Sequence, residues 1–155
     1  MKYKIDQSGK VEKTNKNTVL CLSNDTWDAI IIKAKIKRQM KEIFRRNGQI
    51  RNFVIFTFSA GLAILLERNF KIQTILVDRE YFGKEAIIKN IVLGMLSKMK
   101  DTPNLYFDFI GRDSSAHLLA KEVARGKKKA HHIVNIDELL NKIKMTEVGK
   151  RLKDA

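Results

Sequence analysis

The chain has 155 residues, 44% hydrophobic and 31% charged, a length and balance that fit one folded domain and exclude a disordered chain. Its single cysteine, Cys21, excludes both an intrachain disulfide and a cysteine-based zinc cluster. Thirty-one lysines and arginines against 17 acids give a net charge of +14, the balance of a protein that meets a polyanion.

Read in chain order, Tyr3-Lys4-Ile5-Asp6-Gln7-Ser8 alternates like a strand, and Ser8-Gly9 supplies a turn. Thr18–Leu22 is a second β-rich run, closed by Ser23-Asn24-Asp25. Trp27–Ala34, with Ile30-Ile31-Ile32 at its centre, is a third. Short connections make these an antiparallel meander. The period then changes, because Ile36, Met40, Ile43 and Phe44 fall at helical spacing between Lys35 and Arg46, with Gly48 as a stop. Residues 50–70 read as a mostly buried helix, with room for a short strand at Phe53–Phe56. Ile72–Asp78 is a continuous apolar run, the mark of a strand covered on both faces. A helix through Ile87, Ile91, Met95 and Met99 follows and breaks at Pro103-Asn104. Leu105–Ile110 is a further strand, and Ser114 or Ser115 caps a helix that runs to about Arg125. The last helix spans about Asp137–Lys144. Residues 1–145 are therefore expected to form the domain and 146–155 a polar tail.

The basic residues are clustered. One group contains Lys37, Arg38, Lys41, Arg45 and Arg46, and a second contains Arg125, Lys127, Lys128 and Lys129. Such clusters suit contact with phosphates, which releases counterions. Against them stand acids at strand ends: Asp6 in the first strand, Asp78 closing the mid-chain strand, and Glu80 two residues on as a substitute for Asp78. Asp113 and His117 lie four residues apart at the start of a helix, where they could share a face. Each has a plain structural alternative, as a turn residue, a cap or a packed histidine. His131-His132 lacks further spaced ligands and reads as a phosphate contact. Lys2, Lys4 and Asp6 interrupt any leader-like apolar run, and the apolar stretch 53–66 is shorter than the roughly 20 residues of a membrane span. A cytoplasmic protein with no membrane association is expected.

The order of elements, with acids at these places, resembles the ribonuclease H-like superfamily of nucleases, resolvases and transposases. Ile5-Asp6-Gln7-Ser8-Gly9 is similar to its first-strand signature, and Ser115–Ala120 to the ligand helix of the junction resolvases. Small prokaryotic proteins with a DxSG opening are a nearer likeness. The resemblance implies an α/β fold with a mixed sheet, three antiparallel strands and then parallel ones, and helices on both faces. It implies a metal-dependent nuclease acting on DNA or RNA, structured or branched substrates included. Asp6, Asp78, Asp113 and His117 would act as catalytic and metal-binding residues for Mg²⁺ or Mn²⁺. Nucleic acid is the expected partner, and a resolvase-like action would need a homodimer. The alternative is a nucleic-acid-binding protein without catalysis, or a subunit of a larger nucleoprotein complex.

Overall fold

The computed structural model describes residues 3–153; the first two residues of the expected domain and the last two of the expected tail lie outside the described residues. Strands β1 (Tyr3–Ser8), β2 (Thr18–Ser23) and β3 (Trp27–Ile32) form the expected antiparallel meander. Helices α1 (Ala34–Arg46) and α2 (Phe53–Arg68) follow, then β4 (Thr74–Asp78), α3 (Glu85–Met95), β5 (Asn104–Asp108) and α4 (Ser115–Ala124). A two-residue β6 (His132–Ile133), α5 (Ile136–Ile143) and α6 (Glu147–Lys150) complete the order. The six strands make one mixed sheet in the order β5-β4-β1-β2-β3-β6, with β4 parallel to β1, β5 parallel to β4 and β6 parallel to β3.

Alternation along the strands divides the core into two. Ile5, Leu20, Leu22, Ile30, Ile32, Ile75, Val77 and Leu105 belong to the larger cluster with α1, α2, α3 and α5. Val19, Cys21, Ala29 and Ile31 face the other way and pack under Ala120 and Val123 of α4. Helix α2 is buried from Phe56 to Leu66, which explains a sequence apolar on every side. Gly61 sets its distance from the sheet, since a Cβ there would lie 3.1 Å from the side chains of both Leu20 and Ile32. At its end Arg68 grips Asp28 of β3 through two bonds of 2.8 and 2.9 Å.

Four expectations differ. Residues 50–52 form a 3₁₀ turn that runs directly into α2, so no strand occurs at Phe53–Phe56. That turn lengthens the apolar unit to Ile50–Arg68, 19 residues, long and apolar enough by composition to cross a membrane; 67% of its most apolar window is buried inside the protein. Residues 146–153 are folded: Thr146 caps α6, Leu152 is buried, and Asn47 hydrogen-bonds Lys153 through both amide groups. The fourth concerns Lys37. Expected to meet phosphate, it is buried on the inner face of α1. Its Nζ donates to the carbonyls of Lys10 and Lys13 and to the Thr18 hydroxyl, at 3.1, 2.7 and 3.0 Å. Burial pushes its pKa down to about 8.

Lys37 thus holds the β1–β2 loop from inside. Gly9 fixes the other end, with φ +80° and no room for a Cβ, which would fall 2.1 Å from the Asn17 carbonyl oxygen. Replacing Lys37 with methionine leaves those carbonyls without their donor and is expected to cost about 2–4 kcal/mol. Urea unfolding checks this, and a loss below about 0.5 kcal/mol, the range of ordinary surface substitutions, would contradict the role.

Candidate metal centre

Asp6 lies in the middle of the sheet because β1 is flanked by β4 and β2. Its side chain points to the α4 side, opposite Ile5 and Gln7. The parallel register pairs Ile5 with Val77, and so brings Asp78, at the end of β4, beside Asp6. Glu80 follows two residues later. Ligand oxygens of Asp6, Asp78 and Glu80 all lie within 4.8 Å of one another.

Asp6 is 3% exposed. Its Oδ1 accepts the Gln7 backbone N–H at 2.8 Å, and its Oδ2 meets His117 Nδ1 at 2.6 Å. Each oxygen keeps one further lone pair. Burial raises its pKa, with the Asp78 charge adding to the rise and the Gln7 and His117 contacts opposing it. Glu80 is pushed up to about 7, first by burial, then by a hydrogen bond and charge repulsion from Asp78 and the charge on Asp6. Asp78 also accepts the Ile110 backbone N–H at 3.1 Å, which ties the β5–α4 loop to the cluster. Cys21 pairs with Asp6 across β1 and β2; burial and the charges of Asp28 and Asp6 push its thiol up to about 12.

His117 arrives from the first turn of α4. Ser114 caps that helix by accepting the His117 N–H, and the Ser115 hydroxyl meets Ser23 at 2.8 Å. The cap also displaces Asp113. Ser114 has extended backbone, so Asp113 precedes the helix and shares no face with His117. It is exposed in the turn and stands outside the cluster of Asp6, Asp78 and Glu80. Glu80 joins Asp78 rather than substituting for it.

The basic residues divide likewise. Arg38, Lys41, Arg45 and Arg46 lie on α1, in the helical layer behind the sheet, away from His117. Arg45 and Arg46 pair with Glu42, and Arg38 donates to the Thr14 carbonyl. Lys128 pairs with Glu122 at 3.7 Å and lies over Trp27, whereas Lys127 and Lys129 are exposed. His131 packs on Trp27 and accepts the Ala29 N–H, and His132 bonds Glu138, so both have structural partners. Arg125 lines a groove of about 500 Å³ between α4 and the β1–β2 loop, with Lys16, Asn15, Asn17 and Lys121. His117, Lys121 and Arg125 follow at four-residue intervals, so the groove leads along α4 from the acids.

Neither protein-family models, curated proteins nor solved structures give a match to this chain, so the functional reading rests on geometry and chemistry.

The folded protein holds a proton on Glu80 up to about 7, whereas an ordinary glutamate loses it near 4.5. Between those values the unfolded state has released a proton that the folded state keeps, so metal-free stability falls as pH rises through that window. Glu80→Gln removes this site's contribution. Thermal melts in chelator should show a shallower fall in Tm for the variant, and an unchanged slope would overturn the assignment.

Proposed function

We propose that the protein is a metal-dependent nuclease of the ribonuclease H-like type, hydrolysing phosphodiester bonds of DNA or RNA. The observation that carries this reading is the gathering of Asp6, Asp78 and Glu80 at the centre of the sheet in a chain of net charge +14. Packing gives no reason for three acids there, and two of them have raised pKa values: Asp6 through burial and the Asp78 charge, Glu80 through burial, its hydrogen bond to Asp78 and the charges of Asp78 and Asp6. A divalent cation would offset those charges. The strand order supports the same type, with an antiparallel meander continued by parallel β4 and β5 beside β1. The short β6 at the opposite edge is an addition to the expected pattern.

Three carboxylates are a hard-oxygen donor set, which suits Mg²⁺ or Mn²⁺. Asp6, Asp78 and Glu80 would hold the ion, and a bound ion would supply activated water and charge neutralisation at the scissile phosphate. His117 acts differently from the expected ligand role. Its Nδ1 is engaged by Asp6, so it orients that carboxylate and makes it more definite in direction, as outer partners of metal ligands do. Gln7 holds the other oxygen through its backbone N–H. A bound cation would favour the ionised form of Glu80, whose proton would pass to solvent. The groove with Lys16, Lys121 and Arg125 supports a phosphate backbone lying along α4 toward the acids.

Asp6→Asn is expected to abolish Mn²⁺- or Mg²⁺-dependent cleavage of a substrate panel while nucleic-acid affinity persists. His117→Ala should lower activity by roughly 10–100-fold, as loss of such an orienting partner does. Calorimetric titration of Mn²⁺ should show binding to the parent and little to an Asp6→Asn, Asp78→Asn double variant. Parent protein that binds no Mn²⁺ and cuts nothing, yet retains nucleic acid, would establish the non-catalytic binding module instead.

The groove is testable separately. Alanine at Lys16, Lys121 and Arg125 together should flatten the log-affinity against log-salt slope by about 2 on single strands, at roughly 0.7 per phosphate. Alanine at Arg38, Lys41 and Arg46 should change it little. The reverse ranking would place the substrate on the α1 side.

A further inference from the structure

The sheet face that carries the acids is only half covered. Helix α4 lies over β1, β2 and β3. Beyond the acids, Tyr106 of β5 is 51% exposed on that same face, and the loops after β4 and β5 carry Phe82 and Phe109, 65% and 64% exposed. Those two rings touch each other, with centroids 5.6 Å apart and planes tilted by 54°. The Arg79 guanidinium lies over the Phe109 ring, 5.9 Å from its centre, and donates to the Phe107 carbonyl at 3.3 Å, which holds a cation beside Phe109.

Single exposed apolar side chains are ordinary on protein surfaces. This pair is distinguished by its position. Phe82 is two residues from Glu80, and Phe109 precedes Ile110, whose backbone N–H binds Asp78. Both rings therefore belong to the two loops that border the acid cluster. On its other side begins the cationic groove along α4. A ligand spanning the acids meets positive charge at one end and, at the other, two aromatic rings with an arginine beside Phe109. A nucleic-acid strand has that pattern, an anionic backbone carrying flat, apolar-faced bases, and the protein's charge of +14 complements it.

We infer that Phe82 and Phe109 form a stacking platform for an unpaired nucleobase next to the scissile phosphate, and that the substrate is single-stranded or locally unpaired. In a duplex both faces of each internal base are covered by its neighbours, so away from its ends an intact duplex offers the rings nothing to stack on. The inference deepens the nuclease reading and rests on it for the scissile phosphate; the stacking itself needs no cleavage.

The test is therefore a binding measurement in chelator, where no cleavage occurs. Fluorescence anisotropy with labelled single-stranded and blunt duplex oligonucleotides of equal length should show the parent favouring single strands. The Phe82→Ala, Phe109→Ala double variant should lose roughly 10-fold or more of its single-strand affinity, the scale of one lost base–aromatic stack, with duplex affinity and the salt slope unchanged. Phe82→Trp should retain binding and Phe82→Leu should not, which separates a π-face from mere apolar area. A 2-aminopurine in the strand should be quenched by the parent and not by the double variant. Equal losses on both substrates, full binding by the leucine variant, or no quenching would overturn the platform. So would sedimentation showing that the alanine substitutions dissociate a dimer, which would make the pair a contact between copies. A protein that stacks single strands but cuts nothing with Mn²⁺ would refute the nuclease reading and leave the platform standing.

Discussion

Helix α2 has no side that can face water, and the architecture follows from covering it. Twelve of its residues are buried, so it needs the sheet beneath it and helices around it. Helices α1, α3 and α5 supply that cover, and all lie on one side of the sheet. Among the described residues, α4 packs on the opposite face, over β1, β2 and β3. The acids stand where its cover ends. Asp6 is sheltered enough for its proton affinity to rise, while the neighbouring β4–β5 surface is open to a large ligand. Asymmetric layering thus creates the site, and the site needs no deep cavity.

Much of the fold could be read from the residues because the relevant periods are strong. The β-branched run Ile30-Ile31-Ile32 and the continuous Ile75–Val77 segment have no helical competitor. Asp6 and Asp78 could be singled out because each occupies a defined position in a strand, and sheet pairing converts that into proximity. Glu80 lies past the strand end, where sequence does not say which way a loop residue turns. Asp113 illustrates a difference of one residue. Its helical relation to His117 requires a helix already begun, whereas Ser114, not Asp113, is the transition residue.

The sign of a side chain does not say where it lies. Lysines are nearly always exposed, so sequence alone groups Lys37 with Arg38 and Lys41. Helical spacing puts it on the face of Met40 and Phe44, and there the β1–β2 loop presents carbonyls that an ammonium can satisfy. The same loop shapes one wall of the cationic groove, so a buried lysine shapes a surface on which its own charge never appears. Phe82 and Phe109 had no signal at all, because an isolated aromatic in a loop looks the same whether it packs or projects.

Cys21 sits directly across the strand pair from Asp6, fully buried and with its thiolate disfavoured. A thiol in that place is chemically silent while the central strands stay paired, because reagents require both access and the thiolate form. It is the chain's lone cysteine. The rate at which a maleimide captures it accordingly measures how often the middle of the sheet comes apart, a native-state clock positioned one strand from the acids.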